Sequence, residues 1–503
     1  MKKKVLFSVP DFEKLLYFGR RFNSAGWVII ATADAARVLN ASGIPAVNVA
    51  EFNGVSDSYP FPPTLHPKME EVLTSEHGDR IDMVFDLPYP LSQGIDVGGW
   101  TLLELAAKGK RLPVCTMDDM ELVLGELDAN RDPLQTLYPA FTYKMRIRHV
   151  RHLAELLEQN GDNSGWAVGF DALTPLLWGE NPYQAPACLA DNGSGDPLAL
   201  PRFRQVSGEL PCFTNMADTD AMLHCLSLTC EAFQKNCKKL PYVAAAGKHG
   251  NPCGLAVSWN SPEEAIRNAL YGDPISVWGG EFITNFPLSE ELALMLVEDA
   301  ARTESAGSAA WMLDVIAVPA ISEGALVILG KRKARKIFVN ENLLFPCIAS
   351  GSMLRYVRGG ALRQPVPDYI LDLENEDIPA DGMDSLIVSW AAAFSSAHGG
   401  NEVALARAGS LLSVAGGPST VAAARTAVLR ANANHNEITG CVFAADAFFP
   451  FTDAPEILIE GAGVTGGIVP AGGKNIKMIQ DYFSDANCAV IYLPENVRGF
   501  IRH

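Results

Sequence analysis

The sequence predicts an α/β protein of several domains, and three observations lead there. Short apolar runs alternate with amphipathic runs of helical period through the first 127 residues. That alternation fades into a polar helical stretch and then resumes. Hydrophobic residues make up 48% and charged residues 19% of 503, enough for more than one packed core. In order, Val5–Val9 reads as a strand, Glu13–Asn23 as a helix, Trp27–Ala31 as a strand and Ala35–Ala41 as a helix. Ala46–Val49 and Ile81–Phe85 read as strands, Thr101–Lys108 as a helix, Leu112–Cys115 as a strand and Asp118–Leu127 as a closing helix. Strands that alternate with helices imply a parallel sheet covered on both faces. Residues 133–159 are helical and polar, with Arg146, Arg148, His149, Arg151 and His152 clustered, and read as a connector. From Trp166 the α/β pattern returns. Ala221–Lys239 is an amphipathic helix before the strand Tyr242–Ala246, and the polar, proline-containing stretch Gln364–Asp384 divides two lobes. Gly466–Val469, Asn475–Phe483 and Cys488–Tyr492 close the second lobe as strand, helix and strand, and no short-period repeat is evident.

Bulk properties exclude several functions. No apolar run reaches eighteen residues, and Met1-Lys2-Lys3-Lys4 lacks a signal-peptide core, so the expected location is the cytoplasm. A formal charge of −18 argues against binding nucleic acid or a membrane surface. Ten cysteines include no Cys-x-x-Cys pair. Cys225, Cys230 and Cys237 are too irregularly spaced to share a metal, so reduced core thiols and no metal are expected.

The most informative segment is Gly247-Lys248-His249-Gly250-Asn251-Pro252-Cys253-Gly254. A small apolar strand leads into an ammonium and an imidazole, and glycine and proline then turn the chain away. Histidine can move a proton near neutrality, and lysine can stabilise developing negative charge. An isolated Lys-His pair is more often a surface turn. Other dense segments accompany it: Gly179-Glu180-Asn181-Pro182-Tyr183-Gln184, Asp273-Pro274 with Ser276-Val277-Trp278-Gly279-Gly280, Asp446 to Asp453 with three phenylalanines, and Arg498.

Together and in this order these segments resemble the family of aminoimidazole-carboxamide ribonucleotide (AICAR) formyltransferase joined to inosine monophosphate (IMP) cyclohydrolase. Its Lys-His-x-Asn-Pro-x-Gly matches Lys248–Gly254, and its Asp-Pro-Val-Ser-Ala-Phe-Gly-Gly is similar to Asp273–Gly280. Its Ser-Asp-Ala-Phe-Phe-Pro-Phe-Arg-Asp resembles Ala445–Asp453, and its terminal Arg-x-Phe-Arg-His is close to Arg498–His503 with one residue inserted. Nearer the start, Ser8-Val9-Pro10-Asp11, Thr64-Leu65-His66-Pro67, Ile95-Asp96-Val97-Gly98-Gly99 and Ala106-Ala107-Lys108 also match. The resemblance implies a methylglyoxal-synthase-like domain over residues 1–130 and a helical connector over 131–165. It further implies a formyltransferase of two cytidine-deaminase-like lobes, 166–375 and 376–503, and a homodimer. Nucleotide and folate would be the small-molecule ligands, 10-formyltetrahydrofolate the cosubstrate, and no metal would be needed.

The implied formyltransferase residues are Lys248 and His249 as catalysts. Trp178, Asn181, Trp278, Gly279, Asp314, Phe448, Phe451, Asp453 and Arg498 would contact substrates. The family's Arg-Tyr-Gly-x-Asn-Pro-His-Gln is Leu177–Gln184 here, with arginine replaced by leucine and histidine by Tyr183; its Ser-Asn is Ser389-Trp390. Its Gly-Ala-Gly-Gln-x-Ser-Arg arginine is not recovered around Ala408–Val414. Leu177, Trp178 and Trp390 would enlarge the pocket's apolar surface, which suits a less phosphorylated acceptor. The cyclohydrolase site is more eroded. Its phosphate-binding Ser-Gly-Gly-Thr is Thr32-Ala33-Asp34-Ala35, and Asp34 is expected to cap the following helix. A carboxylate at about 4 Å from phosphate, at an effective dielectric near 20, repels each unit charge by roughly 4 kcal/mol. The basic residues before Thr64 are Phe61-Pro62-Pro63, and a lysine is replaced by Phe12, although Tyr89, Asp96 and Lys108 remain. The expected function is formyl transfer to AICAR or a close analogue with an impaired cyclohydrolase. The alternative is a catalytically weak paralogue that binds nucleotide or folate or serves as a partner subunit.

Overall fold

The computed structural model describes all residues except 1, 10–11, 57–60, 160–165, 307, 375, 377, 379–381 and 502–503. Pro10 and Asp11 of the opening motif, Arg502 and His503 of the terminal one, and parts of the connector and of the polar divider therefore lie outside the described residues. The chain forms two compact units, residues 1–172 with 191–193, and residues 173–190 with 194–503.

The first unit contains strands β1 (Lys4–Ser8), β2 (Val28–Ala31), β3 (Ala46–Asn48), β4 (Met83–Asp86) and β5 (Leu112–Val114) in one parallel sheet of order β3-β2-β1-β4-β5. Helices α1 (Phe12–Ser24), α2 (Ala33–Ala41), α3 (Val49–Asn53), α4 (Pro67–Thr74), α5 (Val97–Lys108), α6 (Met117–Asp128) and α7 (Pro133–Gln159) complete it. Alternation along β1 divides the core. Val5 and Phe7 pack with Leu15, Phe18, Leu39 and Val123 on one face, and Leu6 packs with Met69, Leu103 and Ala106 on the other. This is the doubly covered parallel sheet that the alternation predicts. The chain runs outward from β1 to β3, then returns to β4 on the opposite side. The carboxyl ends of β1 and β4, where Ser8 faces Asp86, thus form a topological switch point, the usual place for a ligand crevice.

The second unit is built on one sheet of eleven strands. A two-stranded ribbon, β6 (Asp171–Leu176) and β7 (Ala187–Asp191), lies in this unit from residue 173 to 190, and then come β8 (Arg204–Ser207), α8 (Phe213–Cys237), β9 (Tyr242–Lys248), β10 (Asn251–Ser258) and α9 (Pro262–Gly272). There follow β11 (Glu281–Thr284), α10 (Glu290–Met295), α11 (Ala300–Ala306), β12 (Val315–Val318), α12 (Glu323–Leu329) and β13 (Lys336–Val339). A separate hairpin comes next, β14 (Ser352–Val357) with β15 (Gly360–Pro365). The second lobe holds α13 (Met383–Ser395), β16 (Val403–Arg407), β17 (Ser410–Ala415), α14 (Thr420–Ala433), β18 (Val442–Ala445), α15 (Asp453–Ala462), β19 (Gly466–Pro470), α16 (Ile476–Asp485) and β20 (Ala489–Leu493). The order is β20-β19-β18-β16-β17-β10-β9-β11-β12-β13-β8, so the lobes share one continuous sheet across the antiparallel β17–β10 pair. Helices α8 and α13 contribute to a single core that covers one face of both lobes, and Ala245, Leu255, Ala404 and Ala444 point into it.

The lobes repeat one plan: helix, two-residue hairpin, helix, then parallel strands. Both hairpin turns have positive φ at both central residues, His249 (54°) and Gly250 (75°) in the first, Ala408 (49°) and Gly409 (70°) in the second. This is the backbone of a type I′ turn, whose twist matches that of antiparallel strands. For histidine it costs about 1–2 kcal/mol relative to an ordinary conformation. The Lys-His pair thus sits at a hairpin tip rather than where a strand passes into a helix, and Pro252 begins the return strand beside a bulge at Cys253.

Candidate functional site

Strand direction brings the predicted formyltransferase residues to one edge of the long sheet. Strands β9, β17, β18 and β19 end there, and β10, β11, β12 and β16 begin there. Lys248 and His249 end β9, Trp278 and Gly279 precede β11, and Asp314 precedes β12. Phe448 follows β18, and Arg498 comes after β20. Four strand spacings, about 19 Å, separate β9 from β18, so the edge holds two neighbouring groups of residues and not one tight cluster.

In the first group, Lys248 Nζ donates to the carbonyl of Trp278 at 2.7 Å, which uses one of three donors and fixes the ammonium over the 276–280 turn. Gly279 has φ of 76°, donates its N–H to Met312 O at 2.5 Å, and would bring a Cβ to 3.5 Å from Lys248 Nζ. His249 is exposed; its backbone N–H donates to Asp218 Oδ2 at 2.8 Å, and its carbonyl accepts from Asn251 Nδ2 at 2.9 Å. Asp218 and Glu281 are 8% and 3% exposed. Glu281 accepts from Asn215 Nδ2 at 3.0 Å, while its second oxygen has no partner. Burial, reinforced by Asp218, pushes its carboxyl well above the usual range. Asp314 pairs through Oδ1 with Arg332 at 2.9 Å.

In the second group, the Arg498 guanidinium lies 5.1 Å from the centre of the Phe448 ring, and its Nη1 donates to Val497 O and Ala471 O. Gly472 and Gly473 pass so close that a Cβ there would meet Phe448 at 3.2 and 2.8 Å. Phe449 is core, Phe451 is 58% exposed, and Asp453 is exposed at the start of α15, where it accepts from the N–H of Ala454 at 3.0 Å. Between the groups lie Glu402, which accepts the N–H and Nδ1 of His398 at 2.7 and 2.9 Å, and Asp446. Asp446 is 1% exposed and neither oxygen has a partner; burial, with Glu402 adding to it, pushes its carboxyl up to about 8.

Leu177 to Gln184 docks on the N-terminus of α8: Trp178 O accepts from Phe213 N at 3.0 Å, and Asn181 donates through Nδ2 to Gln184 Oε1 at 2.9 Å. A cavity of about 590 Å³ opens beside it, lined by Gly179, Glu180, Gln184, Cys188 and Phe213 among others. Trp390 corrects an expectation. It is fully buried in α13 against Tyr369 and Phe394. An apolar helix of period 3.6 at the centre of a shared core needs a large side chain there.

Most residues matched to a cyclohydrolase lie at and around the switch point of the first unit, but Lys108 ends α5, about three turns from Asp96 at its cap. Asp96 caps α5 by accepting from Gly99 N at 2.7 Å and also accepts from Tyr89 N at 3.1 Å. Its neighbour Asp86 is 4% exposed, and burial pushes its carboxyl up to about 7. Gly99 is required between them: a Cβ would fall 2.5 Å from Asp86 Oδ1 and 2.8 Å from Asp96 Oδ2. Lys108 pairs with Glu70 at 3.2 Å, and Thr64 lies in a short turn whose Pro63 carbonyl accepts from Asn53. The capping expectation for Asp34 is overturned. Thr32 occupies the cap of α2, without a side-chain hydrogen bond, and Asp34 lies in the first turn, where it pairs with Arg37 at 2.8 Å. Asp34 is 70% exposed, so solvent screens it and the 4 kcal/mol figure overstates its effect.

The AICARFT/IMPCHase bienzyme family model matches residues 113–430, well over half the chain. The chain belongs to this family. A solved structure described as "Crystal structure of ForH" is 21% identical over 32% of this chain and all of that chain, with a TM-score of 0.28. Membership of the AICARFT/IMPCHase family makes the chain an enzyme-family protein of purine-biosynthesis type that acts on small molecules. Among the described residues no helix is long and apolar enough to cross a membrane. Asp446 stands in a segment matched from the sequence, whereas three carboxyls at the two sites, Asp86, Asp218 and Glu281, escaped the sequence reading. Nothing in their sequence context sets them apart from surface acids; their burial arises only when strands and helix α8 converge.

Proposed function

We propose that the second unit transfers a formyl group from 10-formyltetrahydrofolate to the 5-amino group of AICAR or a close analogue. The observation that carries this reading is the Lys248–His249 pair on a pinned hairpin tip, in a member of this family. His249, exposed at the tip, accepts a proton as the amine nitrogen attacks the formyl carbon. Lys248 keeps two donors for the oxyanion of the tetrahedral intermediate. As the carbon–N10 bond breaks, the electron pair leaves with N10, which receives a proton, and the formamide is released. The aromatic faces of Phe448 and Phe451 and the guanidinium of Arg498 supply the ring and anion contacts. Acceptor and elongated donor together can occupy an edge about 19 Å long. The assay is single-turnover formyl transfer with the full chain. Transfer is expected, and His249→Ala is expected to abolish it; undiminished turnover in that variant removes the proposed base.

The first unit, on this reading, has an impaired cyclohydrolase: the turn offered to phosphate carries Asp34 and Arg37 bonded to each other, and Lys108 is engaged by Glu70. Cytoplasmic location and a homodimer are part of the same proposal.

A further inference from the structure

We propose that Asp218 is a positioning residue for the Lys248–His249 pair: from α8 it holds the histidine of the hairpin tip in its left-handed conformation. This deepens the formyl-transfer reading and rests on it.

Helix α8 meets the hairpin along one face. Asn215, Asp218 and Met222 follow at i, i+3 and i+7, so their side chains share that face. Asn215 Nδ2 donates to Glu281 at the start of β11, which lies opposite Gly247 in the sheet. Asp218 Oδ2 accepts the His249 N–H at 2.8 Å. Met222 fills the space where a Cβ on Gly247 would stand 2.1 Å from its sulfur. One helix face therefore contacts the last residues of β9, the turn and the neighbouring strand.

The second lobe supplies an internal comparison. Its helix α13 also reaches its hairpin turn, but there the Ser385 hydroxyl accepts the N–H of Gly409 at 3.0 Å. A neutral hydroxyl suffices to hold a turn whose central residues are alanine and glycine. In the first lobe the link is made one position earlier, to the turn's first central residue, and by a buried carboxylate, which costs desolvation and makes a stronger hydrogen bond. The stronger link coincides with the turn that carries histidine beside lysine. Its own neighbours limit the negative charge there: burial, and then Asp218, push the carboxyl of Glu281 well above its usual range, and Asp314 is paired with Arg332. Misplacing a reacting group by about 1 Å can lower a rate about 100-fold. The tip has no other anchor on the His249 N–H among the described residues.

The experiment compares the full-length wild type with Asp218→Ala and Asp218→Asn in steady-state formyl transfer, together with amide hydrogen exchange at His249. Asp218→Ala should lower kcat about 100-fold while both KM values change less than about twofold, because orientation and not binding is lost. Asp218→Asn keeps a neutral acceptor and should fall between, about tenfold down, equivalent to roughly 1.4 kcal/mol. Exchange at His249 should quicken in the same order. Wild-type kcat and wild-type exchange in Asp218→Asn would overturn the proposal even where the alanine variant does not fold. A wild type with no transfer at all defeats the formyl-transfer reading instead, and the exchange series still decides whether Asp218 anchors the turn.

Discussion

Replacing Asp446 by asparagine should stabilise the second unit, and by an amount that grows with pH. Asp446 follows β18, donates its backbone N–H to Glu402 O at 3.1 Å, and buries both carboxyl oxygens without a partner. Nearby backbone N–H groups of Glu402 and of Asp446 itself favour the anion, yet neither lies at hydrogen-bonding geometry. Burial is the main reason its carboxyl rises from the ordinary 3.8 to about 8, and the charge of Glu402 is the next. Glu402 is met by the backbone N–H and Nδ1 of His398, whereas Asp446 has no partner and is the carboxyl that burial raises. The sign follows from linkage. Between pH 3.8 and about 8 the folded chain binds a proton that the unfolded chain has released, so stability falls as pH rises through that window. At about 1.4 kcal/mol for each pKa unit, the loss by pH 7 is on the order of 4 kcal/mol.

Asparagine cannot ionise, and the other lobe shows that it fits. In the matching position Asn285 donates its backbone N–H to Val243 O at 3.2 Å, while its side chain accepts from Val243 N at 2.8 Å and donates to Pro241 O at 3.0 Å. The assay is urea unfolding of wild type and Asp446→Asn at pH 5, 6, 7 and 8. The two should differ least at pH 5, and the variant should gain progressively on the wild type toward pH 8. A gap that does not change with pH, or a variant less stable at pH 8, would refute the assignment of the proton to Asp446.

The first unit allows a parallel test at Asp86, whose carboxyl burial pushes up to about 7. Asp86→Asn should slow amide exchange in β1 and β4 relative to wild type at pH 7.5 but not at pH 4, since the wild type loses stability as pH rises through about 7. The cyclohydrolase reading is checked by supplying formyl-AICAR to the purified chain. No IMP above the uncatalysed rate is expected, and enzymatic ring closure would show that the altered turn still serves phosphate.

Local chemistry explains which parts of this fold were legible in the sequence. Runs such as Val5–Val9 and Ala35–Ala41 show their period within a few residues and fall within two residues of the elements formed, whereas α8 begins eight residues before the expected Ala221. The hairpin at His249 was legible as a turn because glycine and proline follow it, but not as a type I′ tip, since that depends on the pairing of β9 with β10. The duplication of the lobes left no sequence trace for a physical reason. What repeats is backbone geometry, a two-residue turn under a helix, and Lys248-His249-Gly250 and Arg407-Ala408-Gly409 share only the glycine that geometry requires. The same argument covers Trp390, which reads as a possible pocket residue beside a matched serine and becomes core once α13 is placed between lobes. Motifs mark residues that meet ligands, whereas Asp218 lies outside every matched segment and accepts from the hairpin backbone. Side chains of that second kind are specified by their position at one edge of the sheet, so the polar residues that hold a site in place are the ones a linear reading misses.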